Sequence, residues 1–254
     1  MTEHERYLFD LQGYLVVPNA LDASEVAALN AIVDERVAEL PEQDWSTHRF
    51  LGLHRWSAPF RDLIDHSRLL SYMLETVAPK VRLDHAYLDI IRSGRTENTV
   101  LHTGGAMPLS YSTYSSGRFN NGLSVPSINL MDVNPGDGGF GCVPGSHKSN
   151  VPIPEDWMSL DAPQAFVKRV PGPAGTALIF TEALTHGTLP WTGAAERRTV
   201  FYKYSPASIA WIYPYPEADG IEGLTDRQRE LLQPPSARWT PKPTDLAKQT
   251  GEFV

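Results

Sequence analysis

Apolar positions along the first half of the chain change period, and the changes mark the elements. Gly13-Tyr14-Leu15-Val16-Val17-Pro18 is a short β-branched and aromatic run closed by proline, which predicts a strand. Asp22-Ala23-Ser24-Glu25 has the form of a capping box, with Asp22 as N-cap and Glu25 at N3. Val26, Leu29, Val33, Val37 and Leu40 then recur at helical spacing until Pro41. A second helix is predicted over Phe60 to Val77, between Pro59 and Pro79.

After Pro79 the helical period is replaced by short strand-like runs. They are Arg82–Ile91, Ser127–Val133, Gly139–Val143, Ala165–Val170, Thr176–Thr181 and Arg197–Ser205. Turn clusters separate them: Asn134-Pro135-Gly136-Asp137-Gly138-Gly139, Val143-Pro144-Gly145-Ser146 and Val170-Pro171-Gly172-Pro173-Ala174-Gly175. Many short strands with Gly/Pro punctuation predict a β-sandwich or barrel. A short helix near Thr225–Leu232 precedes a Pro-rich tail. The expectation is a single domain over 1–254, helices first and a double-sheet β-core after. It is mainly β with flanking helices.

Composition narrows the chemistry. The chain has 254 residues, enough for a large core without covalent staples. Thirty acids against 22 bases give a net charge of −8, which argues against a nucleic-acid polymer or a membrane surface as partner. No run reaches the roughly 18 apolar residues of a membrane span, and the polar start Met1-Thr2-Glu3-His4-Glu5-Arg6 is no secretion signal. A cytoplasmic setting is expected. A lone cysteine, Cys142, precludes an internal disulfide and disfavours a thiolate metal site, whereas eight histidines leave imidazole available.

Two histidines stand out. His102 opens Leu101-His102-Thr103-Gly104-Gly105, and His186 follows the strand-like run Thr176-Ala177-Leu178-Ile179-Phe180-Thr181. Arg197 begins the next strand. Two imidazoles on one face of Fe(II), with open positions for co-substrate and O₂, and an arginine fork for a carboxylate, fit a mononuclear non-haem iron site. Spacing alone leaves open a hydrogen-bonded structural role for either histidine.

Further motifs carry a resemblance. Gly13-Tyr14-Leu15-Val16-Val17-Pro18 with its helix, Val143-Pro144-Gly145-Ser146-His147-Lys148, and Ala174-Gly175-Thr176-Ala177-Leu178-Ile179-Phe180 leading to His186-Gly187-Thr188 resemble the phytanoyl-CoA dioxygenase family, in order over about residues 7 to 211. The resemblance implies a double-stranded β-helix (jelly-roll) core, Fe(II) and 2-oxoglutarate. It implies His102 and His186 as metal ligands and Arg197 as the 2-oxoglutarate anchor. Thr188 and Asn129 are implied beside the co-substrate.

The family's proximal motif is His-x-Asp, and here it reads His102-Thr103-Gly104. Glycine supplies no ligand, so one coordination position and one negative charge are missing. The pattern is similar to the His-x-Gly variant of iron/2-oxoglutarate halogenases, which implies chloride on iron at the position Gly104 leaves vacant. In that variant hydrogen is removed from an unactivated C–H and the carbon radical takes chlorine instead of hydroxyl. Three alternatives stay open. A carboxylate from elsewhere (Asp132, Asp137 or Glu182) makes a hydroxylase, two ligands and a water make another, and a non-catalytic member binds ligand without turnover.

Substrate signals are weaker. Strand alternation puts Arg197, Thr199, Phe201 and Lys203 on one face, and an inward Lys203 suggests an anionic substrate. Phe201, Arg118 and Tyr111 are further substrate candidates, as a flat ring wants an aromatic shelf and a phosphate wants a cation. Residues 106–122, polar and directly after the proximal histidine, form a lid candidate. The pattern is similar to nucleotide halogenases of chlorinated nucleoside antibiotic pathways, which implies a free small molecule, 2′-deoxyadenosine monophosphate, attacked at its 2′-carbon with no carrier protein. An indole alkaloid or a carrier-tethered amino acid is the other reading.

Overall fold

A computed structural model of the chain describes residues 1–41, 45–92, 100–103 and 110–236. Five α-helices are described: α1 (Glu3–Gln12), α2 (Ala23–Ala38), α3 (Ala58–Asp62), α4 (Ser67–Thr76) and α5 (Asp226–Leu231). The described strands are β1 (Tyr14–Val17), β2 (Thr47–Leu51), β3 (Val81–Ile91), β4 (Ser112–Ser115), β5 (Arg118–Asn121), β6 (Ser124–Asn129), β7 (Gly139–Cys142), β8 (Lys168–Arg169), β9 (Ala177–Thr181), β10 (His186–Leu189) and β11 (Arg197–Pro206). No helix among the described residues is long and apolar enough to cross a membrane.

A six-stranded sheet runs β1-β9-β6-β11-β3-β2 and a three-stranded sheet runs β10-β7-β8, with β4-β5 as a separate hairpin. Every pairing is antiparallel. The inner face of the large sheet meets the small one through Tyr14, Val125, Leu178, Phe180 and Phe201 on one side and Phe140 and Cys142 on the other. This is the jelly-roll arrangement of two facing sheets.

Strand β11 shows why both faces are buried. Arg197, Thr199, Phe201 and Lys203 alternate inward, while Val200, Tyr202 and Tyr204 join Leu29 and Val33 of α2, Phe60 of α3 and Met73 of α4 in the outer core. A strand covered on both faces reads as a nearly continuous buried run. Tyr202 and Tyr204 carry their hydroxyls into this layer and donate to the carbonyls of Phe60 (2.5 Å) and Ile64 (2.7 Å).

Helix α2 forms with the expected capping box: Asp22 accepts from the N–H groups of Ser24 and Glu25, and Glu25 accepts from that of Asp22. The helix expected over 60–77 is instead two helices, α3 and α4. The intervening backbone serves other partners. Ile64 O takes the Tyr204 hydroxyl, and Asp65 accepts from Thr225 Oγ1 (3.0 Å) and Gln228 Nε2 (2.9 Å), anchoring α5.

The strand expected over 127–133 starts earlier, at Ser124, and ends at Asn129, and that expected over 165–170 shrinks to Lys168–Arg169. Residues 112–121 of the lid candidate form the β4–β5 hairpin. It is fastened by Phe119, edge-on to Phe9 of α1 at 5.2 Å, so this part is packed. Gly104 and residues 106–109 lie outside the described residues.

Candidate metal and co-substrate site

The Val143–Lys148 turn that joins β7 to its sequel is a clamp. Gly145 N–H donates to Gln12 O (3.1 Å), His147 Nε2 donates to Asp10 O (3.1 Å), and Lys148 Nζ lies 2.7 Å from Asp10 Oδ2. The turn thereby grips the end of α1. On its other side Ser146 Oγ accepts from Thr185 N–H (2.7 Å) and Val143 N–H donates to Thr185 O (2.9 Å). The residue before His186 is thus fixed through backbone bonds.

His186 opens β10 opposite Cys142 of β7. Its Nδ1 lies 2.7 Å from Leu184 O, and since a carbonyl only accepts, that nitrogen carries the hydrogen and Nε2 is left with its lone pair. The ring packs against Phe140 (centroids 5.6 Å, 16°) and Phe180 (4.7 Å). Burial lowers its pKa to about 4, against a partial counter-pull from Glu182, so the imidazole is neutral at pH 7.

His102 is brought beside it by the backbone. His102 N–H donates to His186 O and His186 N–H to His102 O, both at 2.8 Å, and the ring centroids stand 4.4 Å apart. His102 Nδ1 makes only a long 3.5 Å contact with Val100 O. The close approach needs Gly187: a Cβ there would lie 2.4 Å from Val100 O and 2.7 Å from Leu160 Cδ1.

Arg197 begins β11 opposite Ile91 of β3 and is 3 % exposed. Its Nε has no hydrogen-bond partner, and among the described residues it forms no ion pair. Burial lowers its pKa to about 10, so it keeps its charge at neutral pH. Asp89 is electrostatically near, but its carboxylate is gripped by Arg49 through two bonds of 2.6 and 2.7 Å. Gly139 borders the guanidinium, where a Cβ would sit at ordinary contact distance, 3.4 Å from Nε, and its φ of 81° is what favours glycine.

Arg197 lines a pocket with Ser127, Asn129, Val133, Phe140, Thr176 and Leu178, closed by Val16, Val170 and Pro171. Phe140 is shared: one side lines the pocket and its ring lies flat against His186. Asn129 is on this wall, its side-chain amide donating to Gly172 O (3.1 Å). Thr176 Oγ1 is buried without a partner. Neither Ser127 nor Thr176 stands out in the sequence as a site residue, yet both line this pocket. Alternation along β6 from Asn129 was the available signal for Ser127. Thr188 shares a strand face with His186 but does not line the pocket.

The remaining candidates fall elsewhere. Phe201 stacks on Tyr87 (4.7 Å, 23°) inside the inter-sheet core. Lys203 points inward, and its Nζ lies 2.5 Å from Glu182 Oε1. That contact neutralises the charge that suggested an anionic substrate. Tyr111 and Arg118 belong to the hairpin, where Tyr111 O accepts from Gly122 N–H (3.0 Å) and Arg118 Nε is buried without a partner.

Of the acids weighed as a third ligand, Asp132 accepts from Ala174 N–H (2.8 Å) and Asp137 from the backbone and side-chain amides of Asn134 (2.8 and 3.0 Å), as a turn former does. Glu182 is held by Lys203. No group of three or more His, Cys, Asp or Glu able to hold a metal ion occurs among the described residues.

Comparisons with known proteins bear on the fold. The phytanoyl-CoA dioxygenase (PhyH) family model matches residues 103–199. Ectoine dioxygenase of Nocardia farcinica (strain IFM 10152) is 21% identical over 245 residues, 82% of this chain and 78% of the relative. HygX of Streptomyces hygroscopicus, solved with nickel and 2-oxoglutarate bound, superposes with a TM-score of 0.74 at 25% identity over 83% of this chain and 89% of its own. The α-ketoglutarate-dependent epimerase SnoN of nogalamycin biosynthesis gives 0.60 at 21%, over 81% and 83%. The chain has the fold shared by non-haem iron, 2-oxoglutarate-dependent oxygenases.

Proposed function

We propose that this chain is an Fe(II)/2-oxoglutarate-dependent oxygenase of a free small molecule, working as a halogenase. The observation that carries the co-substrate assignment is Arg197. A buried guanidinium with an unpartnered Nε, lining a pocket walled by the phenyl ring that stacks on His186, is a site prepared for a carboxylate. The two imidazoles fit a divalent metal: they stand side by side, and His186 is neutral with Nε2 free to ligate. His102 and His186 would hold iron. Arg197 would hold the outer carboxylate of 2-oxoglutarate, with Asn129 of the same pocket in support, while Thr188 shares the strand face of His186 outside it. Iron with 2-oxoglutarate and O₂ supplies the oxidising power to remove hydrogen from an unactivated C–H bond.

Residues of the chain do the rest. Phe140 and Phe180 keep His186 dry and fix its plane. Leu184 O fixes its tautomer. Gly104 brings no carboxylate, and Asp132, Asp137 and Glu182 are each engaged by other partners. We therefore assign chloride to the position at Gly104. For the substrate we keep 2′-deoxyadenosine monophosphate. Of the four sequence candidates, Phe201 is packed on Tyr87 and Lys203 is matched by Glu182, which leaves Tyr111 for the ring and Arg118 for the phosphate.

A hydroxylase with water in the open position is the second reading. It is favoured by the match to an ectoine dioxygenase. Anaerobic titration with Fe(II) and 2-oxoglutarate, with and without chloride, separates the two. A visible charge-transfer band that shifts with chloride supports the halogenase. A band indifferent to chloride supports the hydroxylase, and no band at all removes both.

A further inference from the structure

Strand β3 carries another histidine onto the inner face of the large sheet. His85 is the ladder partner of Lys203 on β11. Its ring stacks on Tyr87 (centroids 6.0 Å, 15°), and Tyr87 stacks on Phe201 (4.7 Å, 23°). Phe201 packs in the inter-sheet core with Phe140, whose ring lies flat on His186. Packed rings thus connect the candidate metal site with His85, which ends the row with a side chain that is 20% exposed.

The carboxylate behind His85 fixes its orientation. Asp84 is fully buried, and its Oδ1 lies 2.7 Å from His85 Nδ1. Its Oδ2 accepts from Trp211 N–H (2.8 Å) and faces Arg82 Nη1 (3.3 Å). A carboxylate oxygen only accepts, so Nδ1 carries the hydrogen and the neutral ring presents Nε2 as an acceptor. No hydrogen bond to Nε2 occurs among the described residues. Trp211 also reaches the hairpin: its Nε1 donates to Gly122 O (3.1 Å), and Gly122 N–H donates to Tyr111 O (3.0 Å). One chain of bonds therefore joins Asp84 to the stem of the hairpin flanked by Tyr111.

Resting on the oxygenase reading of the site, we propose that His85 is a specificity-determining residue whose Nε2 accepts a hydrogen bond from a hydroxyl or amine of the substrate. An acceptor fixed at this point disfavours a molecule that brings no donor, because the acceptor is then covered and left unpaired. 2′-Deoxyadenosine monophosphate offers both kinds of donor, a 3′-hydroxyl and a ring amine. Asp84 is the positioning residue that keeps Nε2 an acceptor. In Asp84→Asn the amide oxygen stays with Trp211 N–H and Arg82, so the NH₂ turns to His85 Nδ1, which must then accept, and the hydrogen moves to Nε2.

Long-range proton–nitrogen NMR correlations of the histidines read the tautomer with no ligand present. The wild type should show the Nδ1–H form at His85, and Asp84→Asn the Nε2–H form. The binding probe is 2′-deoxyadenosine monophosphate, titrated calorimetrically into the full chain loaded with Co(II) and 2-oxoglutarate. His85→Phe keeps the ring stack and should bind the nucleotide about tenfold more weakly. His85→Gln, which keeps a side-chain acceptor, should recover most of that loss, and neither variant should change 2-oxoglutarate affinity. The loss in His85→Phe should disappear for the analogue that lacks the partner donor. That analogue is 2′,3′-dideoxyadenosine monophosphate if the donor is the hydroxyl, and purine 2′-deoxyriboside monophosphate if it is the amine. A merely structural histidine would weaken all of these nucleotides alike. Equal losses, wild-type affinity in His85→Phe, or an Nε2–H form in the wild type overturns the inference and spares the oxygenase reading. A wild type that binds Co(II) and 2-oxoglutarate but no nucleotide overturns the inference together with that substrate, and one that takes up neither overturns the oxygenase reading as well.

Discussion

His102 and His186 exchange backbone hydrogen bonds of 2.8 Å in both directions, so each histidine is the other's strand partner. Their relative placement is therefore set by a ladder bond and does not depend on side-chain packing alone. The segment carrying His102 is added to the edge of the small sheet at the first residue of β10.

That arrangement makes Gly187 a test of the site. In Gly187→Ala the new methyl would meet Val100 O at 2.4 Å, a backbone atom that can only yield by moving the His102 segment. We expect the fold to survive by far-UV circular dichroism. Metal affinity, read by Co(II) calorimetry, should fall on the order of 10- to 100-fold, as when support of a ligating histidine is lost.

Arg197 should show opposite effects on stability and on binding. Arg197→Met removes a buried charge without an ion-pair partner among the described residues, so the ligand-free variant should melt at or above the wild-type temperature. The same change should weaken 2-oxoglutarate binding by about 2–3 kcal/mol, the worth of charge-assisted hydrogen bonds. Calorimetry of 2-oxoglutarate binding to the Co(II)-loaded protein checks the second part and differential scanning calorimetry the first.

The Glu182–Lys203 pair gives a pH dependence with a defined sign. Burial alone would raise the Glu182 pKa above its usual 4.5, but Lys203, then His186, bring it to about 2. A depressed carboxylate pKa contributes stability that is complete above the unfolded value and is lost as pH falls through the folded one. The unfolding free energy from urea titrations should therefore drop between about pH 5 and pH 2, by on the order of 3 kcal/mol at most. The Lys203→Met/Glu182→Gln double variant should show a flatter profile over that window.

Helix α2 offers a control remote from the site. Asp22→Ala removes the side-chain oxygen that accepts from the N–H groups of Ser24 (2.8 Å) and Glu25 (2.9 Å). Urea denaturation should show a loss of about 1 kcal/mol. Metal and 2-oxoglutarate affinities should not change.

What could be read from the chain were features with local periods. The alternation Arg197, Thr199, Phe201, Lys203 emerges as the inner face of β11, and Asp22–Glu25 as a working cap. What could not be read depends on distant partners. Helix α1 buries only Phe9 and leaves Tyr7, Leu8 and Leu11 exposed, so no apolar stripe announces it, although Thr2 and Glu5 form a capping box. Strand β10 is four residues with one glycine, defined by pairing to β7. The break between α3 and α4 presents the Ile64 carbonyl to the Tyr204 hydroxyl, a partner far along the chain. The two histidines and Arg197 were visible as residue types, but the engagement of Lys203 by Glu182 was not, because it joins the turn after β9 to β11, two strands away in the same sheet.

In the proposed function, chloride takes the metal position for which Gly104 brings no carboxylate. The direct measurement is mass spectrometry of the product formed with Fe(II), 2-oxoglutarate, O₂, chloride and 2′-deoxyadenosine monophosphate, run beside Gly104→Asp. A product with a chlorine isotope doublet is expected from the wild type, and hydroxylated product or none from Gly104→Asp. Hydroxylated product alone from the wild type, or retained chlorination in Gly104→Asp, would contradict it.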